Sequence, residues 1–496
     1  MTFPLLTTMY GLPLLAVLVI FFVPERRALA IKIVSLTASA AALGLAVWLF
    51  FAYDRGVGGL QFVERVPWLG VLGVNYFVGA NGVNVMLLLL TGVIITAGVL
   101  ASWDVTYRPK EFFILLLTLT TGVFGVFMAY NLFLFFLFYE VSVLPMYLLI
   151  GIWGTGKKEY AAMKLTLYLM AGSALILAGL LGLYFASGKG SFDFDILSTA
   201  AYDPLFQRVF FPILFVGFGT LAALWPFHTW SPDGHSSAPT AVSMLHAGVL
   251  MKLGAYGCLL VPITLLPGGA RFWLPSVAFL SVINIVYGSL SAVAQRDLKY
   301  IVAYSSVSHM GIVMLGLASM NEIALNGAVL QMFSHGIMTG LFFGLVGMIY
   351  GRSHTRMVNE QGGLAARTPA LAAFFVLTGL TSLGLPGLSG FPAELSVFLG
   401  AFRAYPVVTV ICVTGIVFTA FYVLRVVQRL FFGRQFLAHP ASAQSTTLGF
   451  GDANRIELTA LSLLMLFILA VGLYPLPFTT LIGTAVAPIA AKLGGM

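Results

Sequence analysis

Stretches of about 20 apolar residues recur from one end of this chain to the other, and they restrict its fold more than any other feature. About 14 can be counted, near residues 3–23, 33–52, 76–100, 111–128, 131–152, 161–186, 208–228, 239–262, 273–294, 300–318, 323–350, 369–402, 407–432 and 456–486. Each can carry a helix across the hydrocarbon core of a bilayer. Unpaired backbone N–H and C=O groups are excluded there, so the runs have to be helical. Only 8% of the residues are charged, against roughly 25% in a soluble domain. Lipid must therefore be the solvent. The expected fold class is an all-α polytopic membrane protein, a single membrane domain over 1–496. It divides into N-terminal helices (1–105), two five-helix repeats (106–265 and 270–434) and a C-terminal helix (455–490).

The same composition excludes several functions. The connectors are mostly short, which leaves no room for a soluble catalytic module. No GxGxxG follows a strand and there is no P-loop, so NADH or ATP would be held by a partner. Cys258 and Cys412 stand alone in apolar runs; they cannot hold an iron–sulfur cluster and read as small core residues. The net charge of +8 sits in short clusters between the runs, as membrane topology places it, and does not describe a nucleic-acid surface. No basic residue precedes the first run, while Arg26 and Arg27 follow it. This order is the reverse of a cleavable signal peptide and predicts a retained first helix with its N-terminus outside. With alternation from there, the inner side receives Arg26, Arg27, Lys157, Lys158, Arg352 and Arg356 among others, and the outer side Arg55, Arg65, Lys189 and a few more. The excess is about two to one, as the positive-inside rule requires.

Two runs are interrupted. One reads Leu224-Trp-Pro-Phe-His-Thr-Trp-Ser-Pro-Asp-Gly-His-Ser-Ser-Ala-Pro239 and the other Gly384-Leu-Pro-Gly-Leu-Ser-Gly-Phe-Pro392. Proline and glycine break a helix, and irregular backbone survives at membrane depth only when it is buried in protein or lines a wet cavity. The first break follows the fourth helix of one five-helix block (spans 4–8), and the second lies within the fourth helix of the next (spans 9–13). Blocks with an odd number of helices have inverted topology, and matching breaks in inverted halves point to a transport pathway. A simple kink is the alternative for each.

Ionisable residues inside spans are costly and usually functional. Glu140 is mid-span, desolvated and placed to take up and release a proton; a structural ion pair is the other reading. Lys252, in Gly248-Val-Leu-Met-Lys-Leu-Gly254, is deep enough to shuttle a proton rather than snorkel. Glu394 follows the second break, where free helix ends can bind or gate an ion. Lys164 lies about one turn inside span 6, where snorkelling competes with a proton-transfer role. Lys299, beside Arg296 and Asp297, reads as an interfacial anchor. His335 and His309 lie within spans and could relay protons or be packed core residues. His246 does not share a face with Lys252. His228 and His235 flank the first break, and no carboxylate or cysteine cluster beside them suggests a metal.

These residues resemble a known family. The stretches are Glu140-Val-Ser-Val-Leu-Pro-Met-Tyr147 with Trp153-Gly154, His228-Thr-Trp-Ser-Pro-Asp-Gly-His-Ser-Ser-Ala-Pro-Thr240, Ala247-Gly-Val-Leu-Met-Lys-Leu-Gly-Ala-Tyr-Gly257, Asp297-Leu-Lys-Tyr-Ile-Val-Ala-Tyr-Ser-Ser-Val-Ser-His-Met-Gly311 and Leu385-Pro-Gly-Leu-Ser-Gly-Phe-Pro-Ala-Glu394. Spans 4–13 resemble the antiporter-like subunits of respiratory complex I, most nearly subunit M, together with its chloroplast and cyanobacterial counterpart in the plastoquinone-reducing enzyme. The resemblance implies a proton-translocating membrane-arm subunit with a proton-transfer set of Glu140, Lys164, Lys252, His335 and Glu394. It implies no cofactor on this chain, with NADH, FMN, iron–sulfur clusters and quinone on partner subunits. The implied partners are antiporter-like L and N subunits and a peripheral redox arm, in a bacterial inner membrane or its equivalent. The span-12 glutamate, here Glu394, favours subunit M over L and N, which carry lysine there. One departure stands out. The family has a lysine in span 7 that pairs with the span-5 glutamate, and Leu221 occupies that position. Lys164 could substitute, Glu140 could stay protonated, or the copy could pump poorly. Asn81 stands where relatives often have aspartate. A subunit of a multisubunit Na+/H+ antiporter, or a membrane-coupling subunit of a hydrogenase or inorganic-carbon uptake complex, shares the superfamily and is the alternative.

Overall fold

A computed structural model describes residues 4–434, 436–437 and 451–494; Phe3, which opens the first apolar run, lies outside them. The helices are α1 (Leu5–Phe22), α2 (Ala28–Ala52), α3 (Gly82–Ala101), α4 (Pro109–Met128), α5 (Leu132–Trp153), α6 (Lys158–Ser187), α7 (Phe194–Ser198), α8 (Pro204–Leu221), α9 (Trp230–Ser237), α10 (Thr240–Ile263), α11 (Pro267–Ala294), α12 (Leu298–Ala318), α13 (Glu322–Ser353), α14 (Pro369–Ser382), α15 (Gly390–Ala404), α16 (Pro406–Phe431), α17 (Arg455–Leu473) and α18 (Leu476–Leu493). An antiparallel hairpin, β1 (Gln61–Leu69) and β2 (Val74–Ala80), lies between α2 and α3. The run expected to be helical from residue 76 therefore starts as a strand. Asn81 sets the boundary: its side chain accepts from the backbone N–H of Val83 and Asn84, and Asn84 returns a bond to Asn81 N–H. This reciprocal cap satisfies donors that a helix start leaves free. Asn131, Asp203 and Asn321 cap α5, α8 and α13 through the same kind of side-chain acceptor.

Among the described residues, fourteen helices are long and apolar enough to cross a membrane. Their burial sorts them into a centre and a rim. Every residue in the most apolar window of α3 and of α10 is buried inside the protein, and nearly all in α12 and α13. Only a third is buried in α1, α16 and α17, whose remaining faces are left to lipid. The centre is where ionisable side chains can be kept from hydrocarbon.

The expected last span, 456–486, is two helices. α17 can cross; α18 lies along one face. Near its start, Asn326 Nδ2 donates to Thr479 O at 2.8 Å. At its end, Lys492 Nζ donates to Thr264 O at 3.0 Å and Arg271 Nε to Leu493 O at 3.0 Å. Asn326 opens α13, Thr264 follows α10 and Arg271 opens α11, all at the same side of the bundle. An upright helix about 27 Å long could not touch that side with both ends. The long 369–402 run is also two pieces: α14 and α15, of 14 and 15 residues, are each short for a crossing and together make one. The number of crossings is thus as expected, with a different membership.

Both interruptions share one backbone device. In the first, Ala222 N–H bonds Phe218 O, Ala223 N–H bonds Thr220 O and Leu224 N–H reaches back to Gly219 O. The second has Leu383 to Gly379, Gly384 to Thr381 and Leu385 to Leu380. The residue that turns the chain has φ +56° at Ala223 and +66° at Gly384. Glycine takes this left-handed region freely; alanine pays about 1 kcal/mol or more. Neighbours take up the freed groups of the first break: Asn284 accepts from Trp225 N–H at 2.7 Å and donates to Ala223 O at 2.9 Å, and Trp230 Nε1 donates to Thr220 O.

Candidate functional site: a buried polar chain

The central helices bring four of the expected residues into one line. Lys252 on α10 is fully buried, with Nζ 2.8 Å from His335 Nδ1 on α13. The His335 ring lies 5.3 Å, centre to centre, from that of His309 on α12. His309 Nδ1 is 3.2 Å from Glu394 Oε1 on α15, and its Nε2 is 3.2 Å from Ser382 Oγ at the end of α14. Gln331 Nε2 donates to the same Glu394 oxygen at 3.3 Å. Imidazoles between an amine and a carboxylate make a row in which each group can accept a proton from one neighbour and give one to the next. Local structure aims the row. Two π-turns, His246–Leu250 and Leu259–Ile263, flank the α-helical segment carrying Lys252, and such turns recur at functional sites because they re-aim side chains. At the other end the second break places Glu394 just inside α15.

Beyond Lys252 the polar interior continues into histidines that the sequence left unassigned. His235 Nε2 lies 3.4 Å from Met251 Sδ, beside Lys252. The ring of His246 is 4.2 Å from that of His235 and stacks on Trp230 at 5.1 Å. Both are fully buried, and among the described residues neither ring nitrogen of His246 has a hydrogen-bond partner. The available signal was their position in and just after the first break.

Glu140 is placed differently. It is half-buried on α5 and takes a short hydrogen bond from Ser173 Oγ on α6. Among the described residues it makes no ion pair. Lys164 does not supply one, because its Nζ is bound to Asp233 Oδ2 on α9 at 2.7 Å. Leu221 is fully buried. It follows Thr220, which packs on Gly172 beside Ser173, so an apolar side chain occupies the position where the resemblance led one to expect an ammonium. Lys299, at the start of α12, is 5% exposed and donates to Ala238 O, the residue that closes α9, at 2.6 Å. His228, beside the first break, meets the Tyr287 ring edge-on at 5.0 Å and stands apart from the row. No three His, Cys, Asp or Glu side chains come together in a metal-sized cluster among the described residues.

An all-helical bundle with two broken helices around a buried row of lysine, histidine and glutamate defines an antiporter-like membrane subunit. Residues 129–419 match the family described as NADH:quinone oxidoreductase/Mrp antiporter, transmembrane. NAD(P)H-quinone oxidoreductase chain 4 1 of Synechococcus elongatus is 38% identical over 99% of this chain and 92% of its own length. Among solved structures, a chain of respiratory complex I from Thermus thermophilus superposes with a TM-score of 0.90 at 26% identity, covering 99% of this chain and 100% of that one. A chain of the Mrp complex from a Dietzia species shares the fold, with a TM-score of 0.84 at 23% identity and 100% coverage of both chains. The chain belongs to the NADH:quinone oxidoreductase/Mrp antiporter family, as a chain 4 (subunit M) type member.

Proposed function

We propose that this chain is a proton-translocating membrane-arm subunit of a complex-I-type NAD(P)H:quinone oxidoreductase. The observation that carries the reading is the buried row Lys252–His335–His309–Glu394 through the middle of the bundle, hydrogen-bonded or ion-paired at each end and joined at its centre by the 5.3 Å approach of the two imidazole rings, where His335 Nε2 has no hydrogen-bond partner among the described residues. Partner subunits hold the redox groups (nicotinamide nucleotide, FMN, iron–sulfur clusters and quinone), and this chain supplies buried groups that change protonation as they turn over. L- and N-type antiporter-like subunits flank it in an energy-transducing membrane, and its N-terminus faces outward. Residues 106–265 and 270–434 act as inverted halves, each offering one half-channel.

The energetics are adequate. Moving one charge against 100 mV costs about 2.3 kcal/mol, and a change of one pKa unit is about 1.4 kcal/mol. Shifts of a few units, such as an opposite charge arriving or leaving within about 4–6 Å produces, cover that cost. His309 has Ser382 on its other nitrogen, so it can reorient its proton without losing its place. Glu140 stands outside the row and, bonded to Ser173, is the group through which a neighbouring subunit would influence it.

The test is made on the intact complex in closed vesicles. Lys252→Ala and Glu140→Gln are expected to lower protons pumped per electron sharply while the complex still assembles. Normal pumping in both would defeat the reading. The similarity to the Mrp fold favours one rival, a cation antiporter subunit. That rival predicts sodium-driven proton movement without quinone, and no flavin or iron–sulfur subunits co-purifying in mild detergent.

A further inference from the structure

The two breaks share more than a backbone turn. Equivalent hydrogen bonds start at 222 and 383, 223 and 384, 224 and 385, a constant offset along the chain. Carried forward, the same offset pairs Asp233 with Glu394. Each is the one carboxylate of its half-helix, α9 or α15. Their surroundings also correspond. Glu394 is held by Gln331 from α13 and His309 from α12. Asp233 is held by Lys164 from α6, at 2.7 Å, and by the Tyr300 hydroxyl from α12, at 3.0 Å. α6 and α13 are each the third helix of their half. One side chain from the half's own third helix and one from α12 therefore meet each carboxylate.

The two sites differ in access. Glu394 is 5% exposed, whereas the Asp233 side chain keeps a quarter of its surface and Lys164 about a fifth. Asp233 opens into a cavity of about 620 Å³, lined also by Lys157, Tyr160, Ser236, Tyr300 and Arg356. That cavity lies on the face carrying the α5–α6 connector and the basic loop after α13. It is large enough for many waters, and Lys157 and Arg356 line it with Asp233.

We propose that Asp233, paired with Lys164, is the proton-loading group of the first half, the counterpart of Glu394 in the second; this rests on the proton-translocating function above. In the resting pair Lys164 is an ammonium and Asp233 a carboxylate. Lys164 passes its proton to a water molecule on the side of the buried row, leaving a neutral amine and a hydronium that carries the charge inward. Asp233 takes a proton from cavity water, hands it to that amine, and the pair is restored with no net change in the site. Tyr300 keeps the carboxylate oriented through the cycle. The arrangement gives the first half an ion pair that can open and close although Leu221 has removed the span-7 cation.

The experiment uses the assembled complex in closed vesicles, with Lys252→Ala as the reference. Asp233→Asn is expected to abolish most pumping per electron, Asp233→Glu to restore it, and Lys164→Met to reproduce the loss. Should Asp233→Asn not assemble, Tyr300→Phe removes one donor and no charge; it is expected to shift the pH profile of pumping, which a merely structural hydroxyl would leave in place. Lys252→Ala inactive with Asp233→Asn normal, or Tyr300→Phe with an unmoved profile, overturns the Asp233 assignment alone. Normal pumping by Lys252→Ala overturns the function on which it rests.

Discussion

Glu140 and Leu221 show how much one position can change. Glu140 is a half-buried carboxyl at membrane depth that takes its side-chain hydrogen bond from a serine hydroxyl. Leu221→Lys places an ammonium beside Thr220, across the α6–α8 contact from Ser173. It is expected to assemble and to move the pH profile of pumping. In a Glu140→Gln background the introduced charge has no partner, and removing one member of a buried pair costs about 3–5 kcal/mol. The double variant should therefore unfold at a lower temperature than either single one. Equal melting of the double and single variants would mean that the two positions do not meet. At this scale the sequence was readable where a charge interrupts an apolar run: Lys252, His335 and Glu394 all lie in the buried row. It was less readable inside the breaks, where polar residues are ordinary. Asp233 was not singled out there. Lys164 looked free to pair with Glu140, because no spacing rule reveals that α9 folds back against α6.

Helix contacts depend on glycine at a few points. A Cβ at Gly254 on α10 would lie 2.5 Å from Ala222 N and from Phe218 O, the backbone of the first break itself. Backbone atoms cannot yield as a side chain can, so Gly254→Ala is expected to push α10 and Lys252 away from the break. The complex should melt several degrees lower, with pumping lost before quinone reduction is; an unchanged melting point and pumping ratio would show that the break gives way easily. The positions of the broken helices were legible from proline and glycine clusters, since few other signals stop an apolar helix. Strand β2 was not, because Val74–Ala80 is apolar enough to run on into the helix it precedes and only the Asn81 cap separates them. The turn in 456–486 was equally silent: α18 is apolar enough to cross, and only its tertiary bonds lay it flat.

For the whole molecule, orientation is the quantity that charge counting predicts. Cys258 and Cys412 are buried, so the native thiols give little background to an impermeant maleimide. Lys157→Cys is expected to be labelled only when the reagent reaches the inner side, and Lys189→Cys only from outside; the opposite pattern would invert the topology. The flat helix α18 has a mechanical meaning. It is bonded to the end of the first half at Thr264 and to the second half at Arg271 and Asn326. Many carriers with inverted halves work by rocking one half against the other. Here such a swing would shear a splint fixed across the seam. On the proposed function the chain works as a stator, in which the scaffold holds still and only protons, side chains and hydrogen-bond directions travel.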